Sequence, residues 1–143
     1  MELSVANAGE WLRAHRIDSH GAAFRSLGGG VSNHVILAEV PSGPIVIKQS
    51  LGRLRVADEW LSERGRIFRE AAAMRWLSGK LHGGRVPKVL AEDRENFAIA
   101  MEAAPARAEM WKTRLFDGIL SMDDARRAGA LLASMVAASE GNS

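Results

Sequence analysis

The chain has 143 residues, a formal net charge of +2 and no cysteine. One domain is the default at this length. The mixing of acidic residues among the arginines excludes a basic nucleic-acid stripe, and the lack of thiols excludes disulfides and thiolate metal sites. The longest apolar run, Ala128 to Ala138, is too short to span a bilayer. Met1 to Val5 carries neither a basic head nor an apolar signal core, so a cytoplasmic setting with neither nucleic acid nor membrane as partner is expected.

Ser4 to Arg16 reads as a helix capped by Ser4, with Val5, Ala8, Trp11, Leu12 and His15 on one face. His15-Arg16-Ile17-Asp18 looks like the His-Arg-Asp signature of kinases. It precedes the glycines described next, however, and position 23, where an Asn would stand, is Ala.

Strands follow at about Ala22–Leu27, Asn33–Val40 and Ile45–Gln49, and Pro41-Ser42-Gly43-Pro44 is a turn that makes the last two a hairpin. Between the first two strands stands the triplet Gly28-Gly29-Gly30. A dinucleotide fingerprint would open a helix after its glycines, and here His34-Val35-Ile36-Leu37 follows; a phosphate loop ending in Gly-Lys-Ser/Thr is also missing. What remains is a glycine turn between antiparallel strands, either a plain hairpin or a loop laid over phosphates. In such a loop backbone N–H groups approach the oxygens with no Cβ in the way. The third strand ends on Lys48, on the face of Val46 and opposite that of Ile45 and Ile47.

Asp58 to Gly79 holds a helix, best defined from Glu63 to Leu77, with Ile67, Ala71, Met74 and Leu77 as its apolar stripe. Glu70 falls inside that stripe, where a carboxylate needs a partner. Two are open to it: Arg66, one turn back, or Lys48 across the sheet. Val86-Pro87-Lys88-Val89-Leu90-Ala91 starts a fourth strand, Asp93 to Asn96 is a turn, and Phe97 to Met101 is a buried fifth strand. Glu102-Ala103-Ala104-Pro105 then breaks the pattern. Helices are expected from Ala108 to Phe116 and, after Ser121 with Asp124 in a capping-box spacing, along Ala128, Leu131, Leu132, Met135 and Val136. The fold class is therefore α+β: a five-stranded antiparallel sheet with one helix inserted after its third strand, followed by helices.

Gly28-Gly29-Gly30-Val31-Ser32-Asn33, Ile45-Val46-Ile47-Lys48, Phe68-Arg69-Glu70-Ala71 and Ala100-Met101-Glu102, in that order, resemble the N-terminal lobe of the aminoglycoside phosphotransferase family of protein-kinase-like small-molecule kinases. The resemblance covers about Phe24 to Ser139. Asn33 stands where protein kinases have a third glycine, and a Ser-Asn there favours the small-molecule kinases. The resemblance implies an ATP-binding N-lobe over residues 1–104 and, over 105–143, the hinge exit and first helices of an incomplete C-lobe. It implies that Lys48 contacts the α/β-phosphates of ATP and that Glu70 orients Lys48. Gly29, Gly30, Ser32 and Asn33 would form the phosphate-covering loop, and Val35 and Val46 would line the adenine pocket. Met101 would stand near the gatekeeper position, and the Glu102 carbonyl and Ala104 N–H would take the adenine edge.

The family's His-Gly-Asp…Asn loop does not occur; the only His-Gly pairs are His20-Gly21 and His82-Gly83. The catalytic Asp and the Mg²⁺ ligands are therefore expected outside this sequence, and no catalytic residue is assigned within it. Transfer of the ATP γ-phosphate to a small-molecule hydroxyl is expected only on completion by a C-lobe. The alternatives are a non-catalytic nucleotide-binding or interaction module, with Trp111, Leu115, Leu131, Leu132 and Met135 as a surface for a homodimer, and a plain α+β domain in which Lys48 and Glu70 are surface charges.

Overall fold

The computed structural model describes residues 1–28, 32–52, 61–81, 83 and 85–140. Its architecture is mixed α+β. A helix α1 (Ala8–Ala14) precedes three strands, β1 (Ala23–Leu27), β2 (Asn33–Val40) and β3 (Gly43–Ser50). Helix α2 (Arg66–Ser78) follows, then β4 (Val89–Asp93), β5 (Ala98–Glu102), α3 (Trp111–Phe116) and α4 (Met122–Ser139). The strands form one antiparallel sheet in the order β1-β2-β3-β5-β4, which places β3 at its centre. The β2–β3 hairpin closes at Val40 and Gly43, where a φ of +115° suits glycine.

Residues directly opposite in an antiparallel pair share a face. One face collects Ile36, Ala38, Ile45, Ile47, Ala98 and Ala100, all buried beneath Leu3, Ala8, Trp11 and Leu12 of the N-terminal segment. The other face carries Ile99 under Ile67 and Ala71 of α2, with Phe68, Met74, Val89, Phe97 and Met101 around them. The alternation of β3 divides the two layers: its odd-numbered residues from Ile45 to Gln49 are buried and Val46 and Lys48 are half-buried.

Polar bonds pin α1 and the chain before it to the sheet. The buried Gln49 side chain accepts from the Leu3 N–H and donates to the carbonyls of Met1 and Asn96. The Trp11 indole N–H donates to Asp93 at 2.8 Å, and Asn96 donates to the same carboxylate from its backbone and its side chain. His15 stacks on Trp11, donates its Nδ1–H to the Trp11 carbonyl and holds Nε2 3.8 Å from Asp93.

Several boundaries differ from the sequence expectation, among them the start of α2, at Arg66 rather than Glu63. Helix α1 begins four residues later than predicted. Asn7 occupies the cap position, and its side chain accepts from the Ser4 N–H, while the backbone before it turns so that Leu3 is buried. Val5, expected on the packed face, is exposed. Strand β3 starts earlier, at Gly43, because Pro44 is tolerated at a strand end and its carbonyl accepts from Ala103. Strand β4 starts at Val89, after the Pro87 that lacks a donor. Helix α3 starts at Trp111, because Pro105 to Ala108 forms a turn and Met110 is extended. The Ser121 cap is present, its hydroxyl accepting from the Asp124 N–H, but α4 has no buried residue. Among the described residues no helix is long and apolar enough to cross a membrane.

Three variants test these layers and their polar ties. Ile47→Ala removes a buried side chain from the layer under α1 and should cost about 2–4 kcal/mol in urea unfolding. Leu132→Ala on α4, where the side chain is 62% exposed, should cost under about 0.5 kcal/mol; a cost equal to that of Ile47→Ala would show a covered α4 face. For Asp93, burial pushes the carboxyl up. The Asn96 side chain and backbone, the Trp11 N–H and the His15 charge together outweigh burial and hold it below the ordinary carboxylate range. The unfolded chain therefore binds this proton more readily than the folded one. The stabilisation is complete above the unfolded value of about 3.9 and is lost as pH falls through the lower folded value. Asp93→Asn should flatten the acid limb of a stability–pH profile below about pH 4, and an unchanged limb would show that Asp93 is not its source.

Candidate functional site

Strand β3 carries Lys48 on the face shared with α2. Lys48 lies opposite Val35 on β2 and Ile99 on β5; Val46 lies opposite Leu37 and Met101. Helix α2 covers the Ile99 side of this face, so Lys48 stands at the edge of the covered part, its side chain 18% exposed. An ammonium so enclosed needs a partner. Its Nζ donates to Glu70 Oε1 at 2.5 Å.

Of the two partners open to Glu70 in the sequence, the structure therefore brings Lys48. Arg66 is engaged elsewhere, with the Ser62 hydroxyl and the carbonyls of Glu63 and Ser32. The expectation that Glu70 lies inside the apolar stripe is corrected: the side chain is 41% exposed and sits on the margin of the stripe, while Ile67 and Ala71 occupy its centre. That margin lets the carboxylate reach over the helix flank to the strand without the full cost of burial.

The end of β5 has a second feature. Glu102 N–H donates to the Lys88 carbonyl at 2.9 Å, as a continuing β4–β5 ladder requires. The reciprocal bond is replaced, since the Lys88 N–H donates at 3.0 Å to the Glu102 carboxylate. The next residue, Ala103, turns its N–H to the Pro44 carbonyl at 3.1 Å.

The connector after β5 runs past the uncovered part of the sheet face and leaves a cleft of about 720 Å³, within the range of small-molecule sites. Its lining includes Arg25, Leu27, Leu37 and Val46 from the sheet and Ala104 and Met110 from the connector. Lys48 lies two residues from Val46 on the same face, about 6.6 Å along the strand. The geometry offers an apolar slot and one held cation beyond it.

The predicted site residues distribute as follows. Val46 and Ala104 line the cleft; Val35, Met101 and Glu102 lie outside its lining. Met101 packs with the α2 cluster, and Val35 faces the row of Lys48. Asn33 opens β2, and its side chain donates to the Ser32 hydroxyl. Gly29 and Gly30 lie outside the described residues. Arg25, Leu27, Leu37 and Met110 were not singled out by the sequence. Leu37 is readable from the hairpin register once Val40 is paired with Gly43; Arg25 and Leu27 need the β1–β2 register across the glycines, and Met110 has no local signal. Among the described residues no three His, Asp or Glu side chains gather to hold a metal ion. Compared with family models and with curated proteins, the chain matches none.

The Lys48–Glu70 pair is too exposed to contribute much stability. A double-mutant cycle of Lys48→Met and Glu70→Gln should give a coupling of about 1 kcal/mol or less in urea unfolding, falling as salt is raised. A coupling of several kcal/mol, insensitive to salt, would place the pair in a buried setting that this geometry does not have.

Proposed function

We propose that the chain is the nucleotide-binding portion of an ATP-dependent small-molecule kinase of the aminoglycoside phosphotransferase type. Residues 1–104 are its kinase-like N-lobe and 105–143 the start of a helical C-lobe. The observation that carries the reading is the Lys48–Glu70 bond beside a cleft of nucleotide size. The groups present fit a nucleoside with phosphates attached: an apolar slot for a base and a cation for phosphate oxygens. Lys48 would hold the α/β-phosphates, and Val46 and Ala104 the base. ATP would supply the γ-phosphoryl group, and the ligands of Mg²⁺ and the catalytic base are those that the resemblance places outside this sequence. In this reading Lys48 and Glu70 neutralise and orient; they take no proton in the reaction.

A second reading has its own observation. Trp111, Leu115, Phe116, Leu120 and Leu132 are exposed on or between α3 and α4, while Leu131 and Met135 are half-buried. That surface suits an interaction module or a homodimer with a kinase-like fold and no chemistry of its own.

Titration with MgATP, read as a thermal shift, tests the first reading. Ligand bound to the native state raises the melting temperature with the logarithm of its excess over the dissociation constant. The wild-type chain should show that rise, and Lys48→Ala should lose most of it while adenosine binding survives. A cooperatively melting wild type with no shift at millimolar MgATP would overturn the nucleotide reading and leave the second.

A further inference from the structure

Arg66 opens α2 one turn before Glu70, on the same flank of the helix. Its guanidinium reaches back off the helix: Nη2 donates to the Ser32 carbonyl at 2.5 Å, and Nη1 donates to the Glu63 carbonyl at 2.8 Å and to the Ser62 hydroxyl. The Ser32 carbonyl also accepts from the Leu51 N–H at 3.1 Å. Ser32 immediately precedes β2 and Leu51 immediately follows β3. One carbonyl thus joins the entry of β2, the exit of β3 and the first turn of α2.

The remaining hold of α2 on this face is apolar packing and two ion pairs, Glu70 with Lys48 and, nearer the C-terminal end of the helix, Arg75 with Glu92 on β4. Ile67 and Ala71 pack on Ile99, and Glu70 bonds Lys48. Apolar packing is non-directional and permits a helix to turn or slide by a fraction of a residue. A guanidinium fork is planar and directional, and three acceptors on two sides of it define a single pose. A shift of α2 by one ångström would stretch the Glu70–Lys48 bond beyond hydrogen-bond length.

We propose that Arg66 is a positioning residue for Lys48. By clamping the first turn of α2 to the Ser32 carbonyl it sets the rotation and height at which Glu70 meets the ammonium, so the stem of the glycine stretch and the lysine are mechanically one unit. A group that draws the Ser32 stem toward the sheet acts through Arg66 and Glu70 on Lys48. That this unit serves phosphate oxygens rests on the nucleotide reading; the clamp itself does not.

The test uses the ligand-free chain, so it stands or falls apart from nucleotide binding. Brief acylation with an amine-reactive ester, followed by residue-resolved mass spectrometry, reads how firmly each lysine is held. Lys80, Lys88 and Lys112 are exposed and serve as internal references. Glu70→Gln should raise Lys48 acylation about two- to fivefold, the scale of losing a partly exposed ion pair. Arg66→Met should raise it by a similar factor with Glu70 intact, and the double variant should add nothing beyond Glu70→Gln. Arg66→Lys, which keeps the charge but not the fork, should also raise it, and provides the readout if Arg66→Met folds poorly. Acylation of Lys48 at the wild-type rate in the folded Arg66 variants, or additive effects in the double variant, would overturn the proposal. A wild type that shows no MgATP shift yet gives this pattern would remove the nucleotide reading and keep the clamp.

Discussion

Strand β3 has to satisfy two environments at once. Its odd positions, Ile45, Ile47 and Gln49, face a core closed by α1 and Leu3, while Val46 and Lys48 face a layer that α2 covers only in part. A strand with period two can do this only if its register is held, because a slip of one residue would drive Lys48 into the apolar layer. The register is held from both sides, by the tight hairpin to β2 and by the ladder to β5. Everything that defines the cleft descends from that alternation: Leu37 beside Val46, Val35 beside Lys48, and the open strip of sheet that the connector after β5 passes.

Closing the back of the sheet is what leaves the front available. The N-terminal segment is tied down by polar bonds at its ends and apolar packing at its centre. Gln49 has its amide oxygen and nitrogen bonded although it is buried, and Asp93 takes bonds from Trp11 and Asn96. A buried polar side chain with its bonds made specifies a position that apolar contact alone leaves loose. Arg64 adds a brace from the other layer, donating to the carbonyls of Ser50 and Asn96 and lying over the Phe97 ring. The turn between β4 and β5 thereby joins the layer under α1 to the layer under α2.

Much of this was legible from the residues and some was not, for physical reasons. Alternating runs such as Asn33–Val40 and the Pro-Ser-Gly-Pro turn reveal strands because period-two burial leaves a local trace. The helix with Ile67 and Ala71 inward was also legible, and the Glu70–Lys48 pair was one of the two pairings that the residues left open. A carboxylate near an apolar stripe calls for a cation within reach, and both Arg66 and Lys48 met that description. What escaped depended on contacts distant in sequence or made to the backbone. Ser4 and Asn7 are equally good caps by type, and the choice between them is made by Leu3, whose N–H bonds Gln49. Arg66 looked like a partner for Glu70 because two of its three acceptors are carbonyls, which no side-chain pattern displays. The Glu102 carboxylate standing in for its own carbonyl toward Lys88 is invisible for the same reason.

Stability does not account for a lysine at position 48. A partly exposed ion pair contributes about 1 kcal/mol or less, and its formation immobilises two long side chains. An apolar residue of similar length, packed against Ile99 and the flank of α2, would bury comparable surface without desolvating a charge, and such replacements are often neutral or stabilising. The fold therefore gains little from the ammonium, yet it surrounds it with constraint. The strand register sets its direction, Glu70 takes its proton donor, and Arg66 holds the helix that carries Glu70. Placing a charge where an apolar residue would serve the fold as well, and then holding it in one pose, is the arrangement expected when the charge is for a ligand. In the proposed nucleotide reading, the ligand would come from the cleft beside Val46, and its phosphates are the anionic group that a held ammonium complements.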